Sequence, residues 1–468
     1  MARVSSQAMA IVLLIIAGRF LSVDEFGVYV LASIMIILPL TLLYTGVYHY
    51  ILREPRFEQT KGSAFSLQLV FALALSVFVL LIAWLTLTMG WGRFLAILIA
   101  STTLLPILGA FGSWHEGIVL RRGKVAYYYG CLFFSEFVGF IIGVYTLYIG
   151  FGVWSLIIGK FVTAIVFPLA LAFKSERMPK PAWNQDDIPE IFNYATGLYG
   201  NVILSFVSAY GATIITGAFL TTTAVAFLRM ATRTAGAAFD IFSQTFRTLA
   251  WQAVGRMARE ETSSATTLIG MLALYLSIVT FVLGALCILS QDAVYILLGE
   301  KWLDIVPILQ IICCIKIIGT AEQLSSAQLS AAGRTRFLVK ARTVEAVIIT
   351  ISVLIASQFG LVAVALSMIP AIVVFIVICY REMLRMLDVS VKQVILGIAP
   401  GVLGAFAALS TVYTSSVLMS ESGALFRLIA SSAIGAGAYL LIAAVPLRHW
   451  TQRTLKTVST AILPAKEA

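Results

Sequence analysis

The feature that most constrains this chain is a long succession of apolar runs, among them VFALALSVFVLLIAWLTL (70–87) and VIITISVLIA (347–356). A bilayer core about 30 Å thick takes roughly 20 residues of helix to cross. An unpaired backbone group inside that core costs several kcal/mol, so such runs must close their hydrogen bonds internally, as helices. Composition agrees: of 468 residues, 60% are hydrophobic and 12% charged. A soluble domain carries about 25% charged residues. A single hydrophobic core stops growing at about 250–300 residues, so no one soluble fold buries this surface. The expected fold class is all-α, a polytopic integral membrane protein.

Fourteen transmembrane helices fit the pattern, at 3–21, 27–51, 63–89, 93–119, 127–149, 152–173, 191–218, 223–252, 266–298, 303–331, 335–357, 360–384, 391–418 and 423–446. The longest loop, 174–190, is rich in proline and charge and marks the best division of the chain. Lys and Arg test the topology. With the N-terminus inside, 23 of the 32 fall in cytoplasmic segments and 4 (Arg19, Arg93, Lys301, Arg427) outside. That bias repeats loop by loop, as the positive-inside rule requires, and places both termini in the cytoplasm. It also accounts for the net charge of +10 without nucleic acid as a partner. The apolar run after Arg3 reads as an uncleaved first helix rather than a signal peptide. The five cysteines lie in apolar segments without metal-type spacing, and the three histidines are far apart. No metal, cofactor or disulfide framework is expected.

An internal repeat is visible. GRFLSVDEFGVYVLA (18–32) pairs with GAFLTTTAVAFLRMA (217–231), LRRGKVAYY (120–128) with SAAGRTRFL (330–338), and GFGVWSLIIG (150–159) with QFGLVAVALS (358–367). The offsets are 199, 210 and 208. Six helices per copy make both copies run the same way through the membrane, which predicts a parallel pseudo-repeat around a central cavity. The expected organisation is a six-helix lobe over 1–180, a second over 181–388, two additional helices over 389–446 and a basic tail over 447–468.

Five basic residues remain, all inside predicted helices: Lys160, Arg229, Arg233, Arg247 and Lys316. A charge at the bilayer centre costs at least about 2.5–3.5 kcal/mol, so such residues face the bundle interior or water. Arg229, Arg233, Asp240 and Arg247 follow at spacings of 4, 7 and 7, which puts them within about 40° of one another on a helix. This polar stripe has two readings. It either lines a water-filled path and attracts an anion, since guanidinium binds phosphate oxygens bidentately, or it forms internal ion pairs with Arg247 reaching back to the interface. Lys160 and Lys316 are further candidates for binding. Lys316, Thr320 and Gln323 share one helix face, and Glu322, Gln323, Ser325, Ser326 and Gln328 make that part of the helix polar. Glu136, Asp240, Glu322 and Glu345 are candidates for ion coupling or for salt bridges, as is Glu116. His115 beside Glu116 makes a poor relay, because neighbours on a helix point about 100° apart. Pro39, Pro106, Pro168, Pro307, Pro370 and Pro400 permit bends in the spans.

The helix ends carry a resemblance. GRFLSVDEFGVYVLA is similar to an Arg-x-Leu-x-x-x-x-Phe-Gly-x-Tyr pattern, with Phe20 where leucine is usual. LRRGKVAYYYG, GFGVWSLIIGKFV, LGEKWLDIVPILQI (298–311) and QFGLVAVALS add to it over nearly the whole chain. Together they resemble the Wzx-type flippases, the polysaccharide-transporter branch of the multidrug/oligosaccharidyl-lipid/polysaccharide (MOP) flippase superfamily. The resemblance implies two lobes, fourteen helices and a cationic cavity. It implies a transporter, not an enzyme, that carries undecaprenyl-pyrophosphate-linked repeat units across the bacterial inner membrane. A polysaccharide polymerase and co-polymerase are the partners it implies, and no catalytic residue is expected. Two other classes compete. A small-molecule or drug antiporter of the same superfamily predicts an acidic cluster and few buried arginines. A membrane polymerase or ligase predicts a large external catalytic loop, which the short loops here do not provide.

Overall fold

The computed structural model describes residues 2–175, 177–259 and 265–462, all in helices and their connections, with no strand among them. In chain order the helices are α1 (Ala2–Phe20), α2 (Val23–Leu43), α3 (Gly46–Arg53), α4 (Phe57–Thr88), α5 (Arg93–Ser101), α6 (Leu105–Arg121), α7 (Val125–Tyr148), α8 (Trp154–Ala172) and α9 (Asp187–Phe219). There follow α10 (Thr222–Arg259), α11 (Ala265–Ile288), α12 (Ser290–Leu298), α13 (Val306–Ala331), α14 (Thr335–Ala356), α15 (Leu361–Leu387), α16 (Val391–Leu418), α17 (Ala424–Ala444) and α18 (Arg448–Ile462).

Among the described residues, eleven helical stretches are long and apolar enough to cross a membrane. Three of the fourteen expected spans fall outside that set. The first, α1, has an apolar helix of only Ala8–Phe20. The other two are α10 and α14, whose apolar character is diluted by Arg229, Arg233, Asp240 and Arg247 in one and by Arg336, Lys340, Arg342 and Glu345 in the other.

Three stretches expected as single helices are interrupted, each where hydroxyl groups or proline compete with the backbone ladder. The 27–51 stretch divides into α2 and α3 at Tyr44–Thr45. Thr41 and Thr45 there donate to the carbonyls of Ile37 and Thr41, each at 2.7 Å, a back-bonding pattern that bends helices. The Leu43 carbonyl at the break accepts from Gln68 Nε2 at 3.4 Å. The 93–119 stretch contains a 3-10 turn, Thr102–Leu104. Ser101, Thr102 and Thr103 each donate to the carbonyl three residues back at 2.7 Å, and Pro106 offers no amide. The 266–298 stretch breaks at Leu289, where the Cys287 carbonyl accepts from Ser290 Oγ at 2.8 Å and from Gln310 Nε2 at 3.3 Å.

The chain forms two compact units, Met1–Ala226 and Phe227–Ala468. Lipid tails are as apolar as leucine, so helices in a membrane associate by close packing, which small residues allow. In the first unit, α7 meets α8 through Gly139, Gly143 and Gly159. A Cβ at position 139 would stand 2.1 Å from Thr163 Oγ1 and 2.8 Å from the Gly159 carbonyl oxygen. One end of this unit is filled by Phe57, Phe65 and Trp114, with the Phe65 and Trp114 rings 4.9 Å apart. In the second unit, Gly284 admits Leu409 and Gly435 admits Val412, joining α11, α16 and α17. The units also share a backbone device. Gly92, Gly123 and Gly152 have positive φ in the first unit, as do Gly299, Gly333 and Gly360 in the second. Glycine adopts that conformation without the cost a side chain would bring.

Gly139 and Gly130 lie on the same helix in opposite circumstances, since nothing stands within 4 Å of a Cβ at 130. Gly139→Ala is expected to cost about 1–3 kcal/mol through overpacking. Gly130→Ala is expected to stabilise by about 0.5–1 kcal/mol through helix propensity. Thermal unfolding of the purified protein in detergent should move the midpoint down for the first and level or up for the second.

Candidate functional site

The site begins with α10. Its packed face is apolar: Met230, Ala231, Ala235, Phe239, Phe246 and Ala250 are buried. Phe246 stacks on Tyr275 of α11 with centroids 3.9 Å apart. The other face carries the stripe. Arg233, Asp240 and Arg247 are exposed and Arg229 is half-buried. Arg247 Nη2 donates to Gln244 Oε1, one turn earlier, at 3.0 Å. The four residues therefore project from one side of a helix about 27 Å long between Arg229 and Arg247.

Helix α13 lies along α10 in the same unit. Gly236 leaves room for Lys316, since a Cβ there would reach ordinary contact with Lys316 Cε at 3.9 Å. The Lys316 ammonium sits over the Phe239 ring, 5.1 Å from its centroid. Two turns farther on, Gln323 Nε2 donates to Ser243 Oγ at 2.7 Å. Positions 236 and 243 thus face 316 and 323, and the two helices run parallel. Of the predicted residues, Lys316 is therefore brought against the α10 segment that carries Arg233 and the ion-coupling candidate Asp240, with Arg229 and Arg247 on the same helix above and below.

Glu322 and Glu345 lie elsewhere in the unit. Both pair with Arg342, which donates through Nη2 to Glu322 and through Nη1 to Glu345 Oε2 at 2.7 Å. The Arg342 guanidinium also covers the Phe375 ring at 4.1 Å. Arg342 is therefore the centre of a three-residue ion cluster joining α13 and α14, with its guanidinium covering a ring of α15.

Lys160 and Glu136 belong to the first unit. Lys160 Nζ donates to Ser33 Oγ at 3.0 Å and lies 5.1 Å from the Tyr29 ring centroid. Cation and ring meet here as Lys316 and Phe239 do in the second unit, a contact that holds an ammonium without neutralising it. Glu136 is half-buried on α7. Glu116 accepts from Tyr48 at 2.9 Å, while His115 Nδ1 bonds to Ser175 Oγ at 2.9 Å, so these neighbours serve different partners. Sequence reasoning missed Tyr29, Ser33, Gly236 and Phe239. One signal for Gly236 was present: a glycine in a long helix marks a close approach. Among the described residues, no group of His, Cys, Asp or Glu has the arrangement of a metal site.

Comparison with known proteins bears on what such a group serves. The profile of a family described as polysaccharide biosynthesis protein matches residues 15–307. The succinoglycan biosynthesis transport protein ExoT of Rhizobium meliloti (strain 1021) is 22% identical over 306 residues, 65% of this chain and 62% of that protein. An uncharacterized membrane protein in the cps region of Klebsiella pneumoniae is 23% identical over 308 residues, 64% of this chain and 63% of that one. The chain thus matches less than two thirds of the length of either curated relative. Among solved structures, the lipid II flippase MurJ in an inward closed conformation superposes with a TM-score of 0.78 at 15% identity, covering 96% of this chain and 98% of that one. An inward-facing multidrug resistance MATE family transporter of the MOP superfamily gives 0.60 at 15% identity, covering 81% and 95%. At such identities the likeness establishes the fold. With its profile matched over more than half its length, this multi-pass helical membrane protein belongs to the polysaccharide biosynthesis protein family and has the fold of MOP-superfamily transporters.

Proposed function

We propose that this protein flips an oligosaccharide carried on undecaprenyl pyrophosphate across the bacterial inner membrane, for exopolysaccharide export. In this reading the chain crosses the membrane fourteen times with both termini cytoplasmic, α1, α10 and α14 completing the eleven apolar spans. The succinoglycan transport role in the name of one relative supports the substrate class. The observation that carries the proposal is the group on α10 and α13. Arg233 and Asp240 are exposed beside a Lys316 held over Gly236 and Phe239.

The mechanism follows from the chemistry of those side chains. Arg229 and Arg233 offer planar forks to the pyrophosphate oxygens, and Lys316 adds a compact charge that an aromatic ring does not quench. Lys160 supplies a second such charge in the first unit, and Arg247 draws the headgroup in from the cytoplasmic end of the stripe. Asp240 offsets part of the positive charge, which lets the anion leave as well as enter. It is also the acidic residue we assign to ion coupling, because Glu322 and Glu345 are committed to Arg342 and Glu136 stands on α7, away from the stripe helix. Transport proceeds by alternating access of two six-helix lobes, 1–180 and 181–388, with the prenyl tail remaining in lipid. The positive-φ glycines at offsets of 207, 210 and 208 support the repeat on which that motion rests. Helices over 389–446 flank the second lobe. A polymerase and a co-polymerase receive the product.

Replacing Arg229 and Arg233 together by alanine should abolish polymer secretion while membrane insertion stays normal; an unchanged polymer yield would remove the headgroup role. Lys316→Gln should weaken headgroup binding about 10–100-fold, the worth of a hydrogen bond to a charged group. Gly236→Leu should do the same by displacing the lysine, while Gly236→Ala is tolerated; competition with a soluble pyrophosphate analogue reads the difference. Arg342→Met should lower stability by about 1–3 kcal/mol, less than for a fully buried pair because the cluster is partly solvated. The triple replacement with Glu322→Gln and Glu345→Gln should recover most of that loss in thermal unfolding.

A further inference from the structure

The chain does not end with its last membrane-crossing helix. Three residues after α17 it turns into α18, and α18 is docked rather than free. Trp450 Nε1 donates to the Gly397 carbonyl of α16 at 3.1 Å. A Cβ at Gly401 would stand 2.4 Å from the Trp450 ring. Thr454 is buried, with its methyl 3.6 Å from where a Cβ at Gly270 of α11 would stand, and Thr451 Oγ1 donates to the Ala443 carbonyl at 3.0 Å.

The opposite face is basic. At 100° per residue, Arg448, Gln452, Lys456, His449 and Arg453 occupy an arc of about 140°, and Trp450 and Thr454 lie on the other side of the helix. All five residues of the arc are exposed, and Leu455, 48% exposed, lies at its edge beside Arg448.

Depth decides what that face meets. Helix α16 has 28 residues, which makes it about 42 Å long. The hydrocarbon core is about 30 Å thick, so a centred α16 overhangs it by about 6 Å at each end. Gly397 and Gly401 lie six and ten residues beyond Val391, the start of α16, or about 9–15 Å along the axis. With that overhang the two glycines stand about 3–9 Å inside the hydrocarbon, so the indole that docks on them is anchored just below the head groups, near the interfacial level tryptophan favours. Helix α18 therefore lies in the head-group layer, with no room to stand clear in the aqueous phase.

We infer that α18 is a membrane-surface element whose basic face, Arg448, Arg453 and Lys456, binds the head groups of anionic phospholipids in the leaflet from which α17 emerges. The charges match, the helix is fixed at head-group depth by its docked face, and Leu455 extends the basic face toward the acyl chains. Each Lys or Arg near an anionic surface strengthens binding about fivefold.

The test uses the full chain purified in detergent with equimolar phosphatidylglycerol and phosphatidylcholine, read by native mass spectrometry. The wild-type protein should retain phosphatidylglycerol preferentially. The triple variant Arg448→Gln, Arg453→Gln, Lys456→Gln should lose at least fivefold of that retention, while Arg448→Lys and Arg453→Lys together keep it. Unchanged elution and thermal midpoint in the triple variant separate this loss from misfolding. Equal retention of the two lipids by the wild type, or full phosphatidylglycerol retention by the triple variant, overturns the inference. A basic face that instead serves a soluble protein gives that second result.

Discussion

The cost of placing charge in hydrocarbon governs this molecule. Three arginines on α10 would cost about 8–10 kcal/mol facing lipid, on the scale of helix insertion. That is as much as the whole stability of many domains. The chain tolerates them on a helix whose other face is apolar and firmly seated, with Phe246 stacked on Tyr275. The stripe is therefore a maintained departure from the composition of a spanning helix. Its neighbour α13 repeats the theme, with Lys316 in the space left by Gly236 of α10 and over the Phe239 ring.

What keeps such helices in register is packing between backbones. Gly139 against Gly159 and Gly435 against Val412 bring helices closer than any side chain would permit. Some polar groups away from the stripe are matched locally: Gln68 Nε2 donates to Ser113 at 2.7 Å, and Arg342 holds two carboxylates. Arg427 likewise forms two contacts with Asp292. The ion pairs among these groups offset their own charge, whereas Arg233 and Asp240 stand on an exposed face of α10.

The all-helical membrane class was legible because hydrocarbon leaves a chain no other option, and the family because its helix-end motifs are local in sequence. The breaks at Tyr44–Thr45, Thr102–Leu104 and Leu289 were not. At two of the three breaks a glutamine of another helix, Gln68 or Gln310, also bonds to a carbonyl at the break, and which helix supplies it is not written in the local sequence. The stripe on α10 was readable from its spacing alone. Its relation to Lys316 was not, since it depends on the parallel packing of two helices 80 residues apart and on a glycine that acts by being small. Glu322 and Glu345 illustrate the converse. Sequence leaves a helical carboxylate open to either role, and only packing shows that one arginine engages both.

The central claim is that the cationic side of α10 and α13 faces water inside the membrane span. Single cysteines at positions 233 and 316, in a variant without the five native cysteines, test it by reaction with a charged, membrane-impermeant thiol reagent. A cysteine at Ile241, which is exposed but off the stripe, serves as the comparison. The account predicts rapid labelling at 233 and 316, slowed by a lipid-linked pyrophosphate, and labelling at 241 only by an apolar reagent. Labelling of 233 and 316 by the apolar reagent alone would contradict it.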